Sequence, residues 1–199
     1  MKKKYKSSAS FIDEILGILE TVFIAAFIMS MIFTFVFKIA TVKGDSMNQT
    51  LDSNDKIIAF AFENSPETGD IVIVDAKESV LIGSNGELRH GEGIKKQIVK
   101  RVIASGGQTV DIDFKKGIVY VDGVMLDEPY ITGLTHVDEG AFAGQYPITI
   151  PEGYLFVMGD NRSVSKDSRS DEIGLVSEES VLGKVFFCIS PMDRFGFLS

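Results

Sequence analysis

Residues 97–104 read QIVKRVIA. Valine and isoleucine dominate the run, which suits an extended strand better than a helix. Side chains alternate along a strand, so Lys100 shares a face with Ile98 and Val102 while Arg101 points to the other. Similar runs lie on both sides: KIIAFAF (56–62), DIVIVDA (70–76), QTVDIDF (108–114), GIVYV (117–121), YLFVMGD (154–160) and VLGKVFFCIS (181–190). Asp122-Gly123, between IVYV and VML, is a strong signal for a two-residue hairpin turn. Helical periodicity is lacking beyond residue 40, and the close spacing of these runs favours antiparallel sheets over a βαβ array. The body is therefore expected to be mostly β. ESVLIGSNGELRHGEGIKK (78–96) is glycine-rich and polar, and reads as a flexible extended loop or a hairpin tip.

The N-terminal end has a different character. TVFIAAFIMSMIFTFVF, residues 21–37, is an uncharged run of 17 residues, and the apolar stretch counted from Ile15 reaches 23 with Glu20 inside it. A cleavable signal peptide has a shorter apolar region and a small-residue cleavage site, and FKIATVKG offers no convincing A-x-A. An uncleaved transmembrane anchor over 15–37 is the better reading. Lys2, Lys3, Lys4 and Lys6 place residues 1–14 in the cytoplasm by the positive-inside rule, which puts 38–199 outside, close to the cell membrane. After Lys38 the chain carries 15 Lys+Arg against 25 Asp+Glu, and an acidic body argues against nucleic acid as a partner. The single cysteine, Cys188, forms no intrachain disulfide or metal site and reads as a small core residue.

Ser46, in KGDSMNQTL (43–51), and Lys100 are residues that water keeps inert. A serine becomes nucleophilic when a base removes its proton, and a lysine is such a base once burial lowers its pKa. Each also has an ordinary reading. A serine in a glycine-containing turn is usually a turn residue, and a lysine on an apolar face usually snorkels to water. The third segment, GDNRSVSKDSR (159–169), gathers Asp160, Arg162, Asp167 and Arg169 around Ser163, Ser165 and Ser168. A solvated loop has this composition, and so does a set of ion pairs that brace a loop and orient a buried ammonium.

These segments together resemble type I signal peptidases. SM-x-x-TL at 46–51, GDIVIV at 69–74, KRVI at 100–103 and GDNR-x-x-S-x-DSR at 159–169 follow the order seen in that family. VDG-x-x-LDEPYI at 121–131 and the terminal PMDRFG are also similar to it. The resemblance implies a membrane-bound serine endopeptidase that removes signal peptides from exported precursors after small residues. It implies an antiparallel β fold of two sheets, with no metal or cofactor. It makes Ser46 the nucleophile and Lys100 the general base, with Ser165 hydrogen-bonded to the lysine. Asp160 with Arg101, and Asp167 with Arg169, become the ion pairs that hold the site. The expected partners are precursor proteins and the lipid bilayer.

Substrate is expected to bind extended beside the serine, with Val42, Met47, Leu51 and Val99 as candidate pocket walls. The backbone N–H of Ser46 is the candidate oxyanion donor. Some members of the family carry a hydroxyl residue two positions before the nucleophile, and here that position is Gly44. The family's usual proline is replaced by Gln49, and its G-x-PGD turn by ASGGQ (104–108). Two alternatives are a non-catalytic membrane-tethered assembly factor or chaperone and a self-cleaving regulator. The intact Ser46, Lys100 and Ser165 argue against the first. The second needs a cleavable linker and usually a DNA-binding domain, where this chain offers an anchor and an acidic body.

Overall fold

The computed structural model describes residues 6–61, 66–83 and 85–198. Lys2, Lys3 and Lys4, on which the expected orientation rests, lie outside the described residues. Helix α1 spans Lys6–Phe35. Its segment Phe11–Phe35 has 25 residues, none of them buried, and contains an 18-residue stretch with a mean hydropathy of 2.3. At 1.5 Å per residue that length is about 37 Å, more than the ~30 Å hydrocarbon core of a bilayer. The helix stops short of the expected end at residue 37: strand β1 (Phe37–Thr41) has already begun there. Aromatic and β-branched residues such as Phe37, Ile39 and Thr41 suit the extended backbone.

The second compact unit, Ile39–Ser199, is built almost wholly of strands. These are β2 (Lys56–Phe60), β3 (Ile71–Ile82), β4 (Leu88–Ser105), β5 (Thr109–Asp113), β6 (Ile118–Val121) and β7 (Val124–Met125). They continue with β8 (Ile148–Thr149), β9 (Tyr154–Met158), β10 (Val176–Ser177), β11 (Val181–Ser190) and β12 (Gly196–Phe197). One sheet runs β1-β2-β11-β3-β4-β9-β10, with β12 beside β11, and a smaller one runs β7-β6-β5-β8. From β2 to β10, and throughout the small sheet, neighbours are antiparallel. Asp122 and Gly123 both have positive φ, 52° and 77°, at the β6–β7 turn, as a type I′ hairpin requires.

Residues 78–96, expected to be a flexible loop or a hairpin tip, form the end of the β3–β4 hairpin. They form most of a two-stranded ribbon in which Glu78 pairs with Glu92, Val80 with His90 and Ile82 with Leu88. Its glycines serve the pairing. The register slips between Ala76 and Glu78, and a Cβ on Gly93 would stand 2.7 Å from the Ala76 carbonyl oxygen. The ribbon is also docked: the Ser79 hydroxyl donates to the Asp171 carbonyl at 2.6 Å, and Leu175 N donates to Val80 O at 2.7 Å.

The apolar run of β3 is explained by cover on both faces. Ile71 and Ile73 pack with Val42, Met47, Leu51, Ile57 and Val185. Val72 and Val74 face the other way, with Val102, Leu155, Val157 and Ile98. A third cluster joins the two sheets through Ile103, Val110, Val119, Phe142, Ile148 and Phe156. Cys188 is fully buried. Because both faces of β4 are covered where it crosses the core, Lys100 and Arg101 are alike buried.

Candidate active site

Ser46 and Lys100 are 54 residues apart in sequence, and the fold brings them together. Lys100 Nζ donates to Ser46 Oγ at 2.7 Å. Lys100 is held on β4, opposite Val72 of β3, and is only 3% exposed. Ser46 sits in a tight turn in which Asn48 N donates to Asp45 O at 3.3 Å and Leu51 N to Met47 O at 2.8 Å. The turn is fastened to the 159–169 segment, since Asn161 N donates to Ser46 O at 2.9 Å and Asn161 Nδ2 to Asp45 O at 3.1 Å.

Burial disfavours the ammonium of Lys100 and lowers its pKa from 10.5 to about 8. The carboxylate of Asp167 opposes this most strongly, and the Arg169 cation reinforces it. Burial likewise opposes charge on Asp167, but its hydrogen bonds from Arg169 win and hold its carboxyl below the usual carboxylate range. The lysine is thus poised near neutrality, in a setting that tolerates both of its protonation states.

Both expected ion pairs form. Arg101 grips Asp160 with two hydrogen bonds, 2.9 and 2.8 Å, in the bidentate geometry that makes such pairs strong. Its third arm reaches Gly69 O at 2.7 Å, and its guanidinium lies 3.9 Å from the centre of the Tyr130 ring. Thr50 Oγ1 donates to Asp160 at 2.5 Å, tying the turn of Ser46 to the same carboxylate. Arg169 grips Asp167 at 2.8 and 2.9 Å and also donates to the carbonyls of Arg162 and Ser165. All four ionic side chains are buried. Removing one partner of such a pair strands the other's charge, which costs about 3–5 kcal/mol.

A third pair escapes sequence reasoning. Arg162 binds Glu128 with both terminal nitrogens and donates to Thr135 Oγ1 at 2.8 Å. Both charged residues stand in motifs of the chain, GDNR and LDEPYI, but nothing local indicates that they meet. The role of Gly159 is likewise visible only in the fold. A Cβ there would overlap Ser165 Oγ and the Ser46 carbonyl oxygen, so Gly159 lets Ser165 pack against the backbone of the serine turn.

Two expected roles change. Ser165 is 2% exposed, and among the described residues no hydrogen bond joins its hydroxyl to Lys100; it lies beside Asp167, whose carboxyl it helps to hold low. The neighbouring side chain that Lys100 engages is Ser46. Leu51 is fully buried in the core and does not line the cleft, so it is packing rather than a pocket wall. Val42, Met47 and Val99 do line a cleft of about 730 Å³, together with Ser46 and Lys100. One wall is the 40–44 segment, and the other is residues 96–100 of β4. Strand β9 pairs with β4 only from Arg101 to Ser105, so the outer edge of 96–100 has no strand beside it among the described residues.

Comparison with known proteins identifies the family of the chain. Residues 15–190 match the family model described as signal peptidase, peptidase S26. The probable signal peptidase I-1 of Synechocystis sp. is 31% identical over 190 residues, covering 94% of this chain and 86% of that protein. Signal peptidase IB of Staphylococcus aureus strain COL is 31% identical over 197 residues, covering 92% of this chain and 93% of its own. A crystal structure of a signal peptidase I from Enterococcus faecalis V583 aligns over 60% of this chain and 96% of its own, at 26% identity and a TM-score of 0.43. The chain belongs to the signal peptidase family, peptidase S26.

Proposed function

We propose that this chain is a membrane-anchored serine endopeptidase that cleaves signal peptides from exported precursors, with Ser46 as nucleophile and Lys100 as general base. The observation that carries the reading is the 2.7 Å contact between Ser46 Oγ and a lysine buried away from water. Neutral Lys100 accepts the hydroxyl proton as Ser46 Oγ attacks the scissile carbonyl. The ammonium so formed donates that proton to the leaving amine when the tetrahedral intermediate collapses to an acyl-enzyme. Lys100 then deprotonates a water that attacks the ester and returns the proton to Ser46. The backbone N–H of Ser46 has no acceptor among the described residues, so it is free to bind the oxyanion.

The precursor lies extended in the cleft, adding a strand to the open edge of residues 96–100. The apolar walls at Val42, Met47, Ile73 and Val99 suit small side chains before the cut. The Arg101–Asp160 and Asp167–Arg169 pairs hold the two halves of the site, and Ser165 packs beside the serine turn as a positioning residue. Helix α1 anchors the enzyme, with residues 1–14 cytoplasmic and 38–199 on the outer side of the membrane. The test is cleavage of one exported precursor by wild type and Ser46→Ala, with N-terminal sequencing of the product. A single cut after a small residue, lost in the variant, is expected. Processing by Ser46→Ala at an appreciable rate overturns the reading.

A further inference from the structure

PMDRFG, residues 191–196, lies outside the cleft, yet it grips the loop that carries Ser46. Strand β11 ends at Ser190, paired with Lys56 at the start of β2, and a single 3-10 turn, Met192–Arg194, follows it. That turn is held in place: β12 pairs back onto β11, and the Phe187 ring meets Phe195 and Phe197 edge-on at 5.0 and 4.9 Å. From this base Arg194 Nη1 donates to Asp55 Oδ2 at 3.0 Å, and Nη2 donates to Asp52 Oδ2. Both carboxylates belong to the frame of the 42–55 loop. Asp55 Oδ2 also accepts Asp52 N at 2.9 Å. Val42 N donates to Asp55 O at 2.8 Å, and Asn54 N donates to Val42 O at 2.9 Å, which closes the loop at its foot. Asp52 carries the connection further. The Asn48 side-chain amide, with its nitrogen turned toward these acceptors, donates to Asp52 Oδ1 at 3.1 Å. Asn48 N donates in turn to Asp45 O, across Ser46. Arg194 thus reaches the turn of the nucleophile through Asp52 and Asn48.

We propose that Arg194 is a positioning residue for the cleavage reaction: by clamping Asp52 and Asp55 it fixes the foot of the 42–55 loop and so places Ser46 Oγ against Lys100 Nζ. This rests on Ser46 being the nucleophile, as proposed above. The clamp has work to do because its partners repel one another. Asp55 is buried, Asp52 meets the same guanidinium, and Asp193 is next to Arg194 in the chain. Burial, and after it the charge of Asp193, already push the Asp55 carboxyl above its ordinary range. Without the guanidinium, Asp52 and Asp55 are like charges joined at one turn, and the loop relieves them by opening at its foot. A shift of ~1 Å passed on to Ser46 is enough to cost about 100-fold in rate. Lys100 is placed differently. It stands on β4, opposite Val72, and the neighbouring Arg101–Asp160 pair fastens that strand. Loss of Arg194 should therefore displace the nucleophile and leave the base buried.

The experiment measures kcat, KM and their pH dependence for the full-length enzyme in neutral detergent on one signal-peptide-bearing precursor, per mole of folded enzyme as determined by urea titration. The variants are Arg194→Ala, Arg194→Lys, Asp52→Asn and the double variant Arg194→Ala/Asp52→Asn. Arg194→Ala is expected to lower kcat by about 10- to 100-fold, with the rising pH limb of Lys100 left in place. Arg194→Lys keeps the charge but not the two-armed grip, so its kcat should lie between those of Arg194→Ala and wild type. Asp52→Asn removes part of the repulsion that Arg194 balances, so the double variant should be no slower than Arg194→Ala alone. An unchanged kcat in folded Arg194→Ala, whatever its stability, makes the residue merely structural and overturns the proposal. Losses that multiply in the double variant, or a pH limb displaced towards that of free lysine, also overturn it. Should Arg194→Ala fail to fold, Arg194→Lys and Asp52→Asn decide: a reduced kcat in both is expected, and wild-type kcat in both overturns the proposal. Failure of wild type to cleave any precursor, or cleavage by Ser46→Ala, would instead contradict the proposed function itself.

Discussion

The pH dependence of cleavage follows directly from the burial of Lys100. The group is 3% exposed, and its pKa is lowered to about 8, chiefly by loss of water. Only the neutral amine accepts the Ser46 proton, so activity should rise with pH and level off once the lysine is deprotonated. At pH 7 a group with that pKa is ~9% neutral, whereas a free lysine is ~0.03% neutral, an advantage of about 300-fold in competent enzyme. The assay is kcat/KM of full-length enzyme on a signal-peptide-bearing substrate, from about pH 6 to about pH 10. A single ionisation near 8 should govern the rising limb, with the macroscopic value shared among Lys100 and the charges around it. Lys100→Arg keeps the cation but cannot deprotonate in this range, so it should be inactive throughout. A limb that climbs only towards 10.5, or an active Lys100→Arg enzyme, would refute the reasoning.

Three other outcomes can be checked. Gly159→Ala forces a methyl group into Ser165 Oγ and the Ser46 carbonyl; we expect a loss of ~1–3 kcal/mol in denaturant stability and of up to ~100-fold in turnover, and wild-type values for both would remove Gly159 from the site's design. The folded-state pKa of Lys100 lies below its unfolded value, so the native state binds fewer protons and stability should rise between about pH 8 and pH 10.5, by at most on the order of 3 kcal/mol. Lys100→Met should flatten that rise, and an unchanged slope in urea titrations would show that the lysine is not the source. Removing residues 1–38 should leave a folded β domain that processes bilayer-inserted precursor more slowly, because the anchor confines enzyme and substrate to one surface; equal rates would deny the helix that role.

The strands around QIVKRVIA were legible because each carries its own β-branched run and ends in turn residues, and VLGKVFFCIS matches β11 residue for residue. The 78–96 ribbon was not legible as docked structure. Its polar, glycine-rich composition is that of a loop, and what holds it is pairing with β3 and contacts with residues about 90 positions away, such as Ser79 with Asp171. The same limit applies in the site. Asp167 and Arg169 are close in sequence, and the resemblance also supplied the more distant Arg101–Asp160 pair. Glu128 and Arg162, 34 residues apart, are joined only by the fold. Leu51 looked like a pocket wall because proximity in sequence to Ser46 cannot say whether a side chain faces a cleft or the core beneath it.

The central claim is that Ser46 is the acylated nucleophile and that Lys100 activates it. The most direct measurement is mass-spectrometric localisation of the acyl group left on the full-length enzyme by a signal-peptide segment carrying an activated ester at its C-terminal end. The account predicts one acyl group, on Ser46, absent in Ser46→Ala and formed far more slowly in Lys100→Arg. Acylation of a different residue, or an undiminished rate in Lys100→Arg, would contradict it.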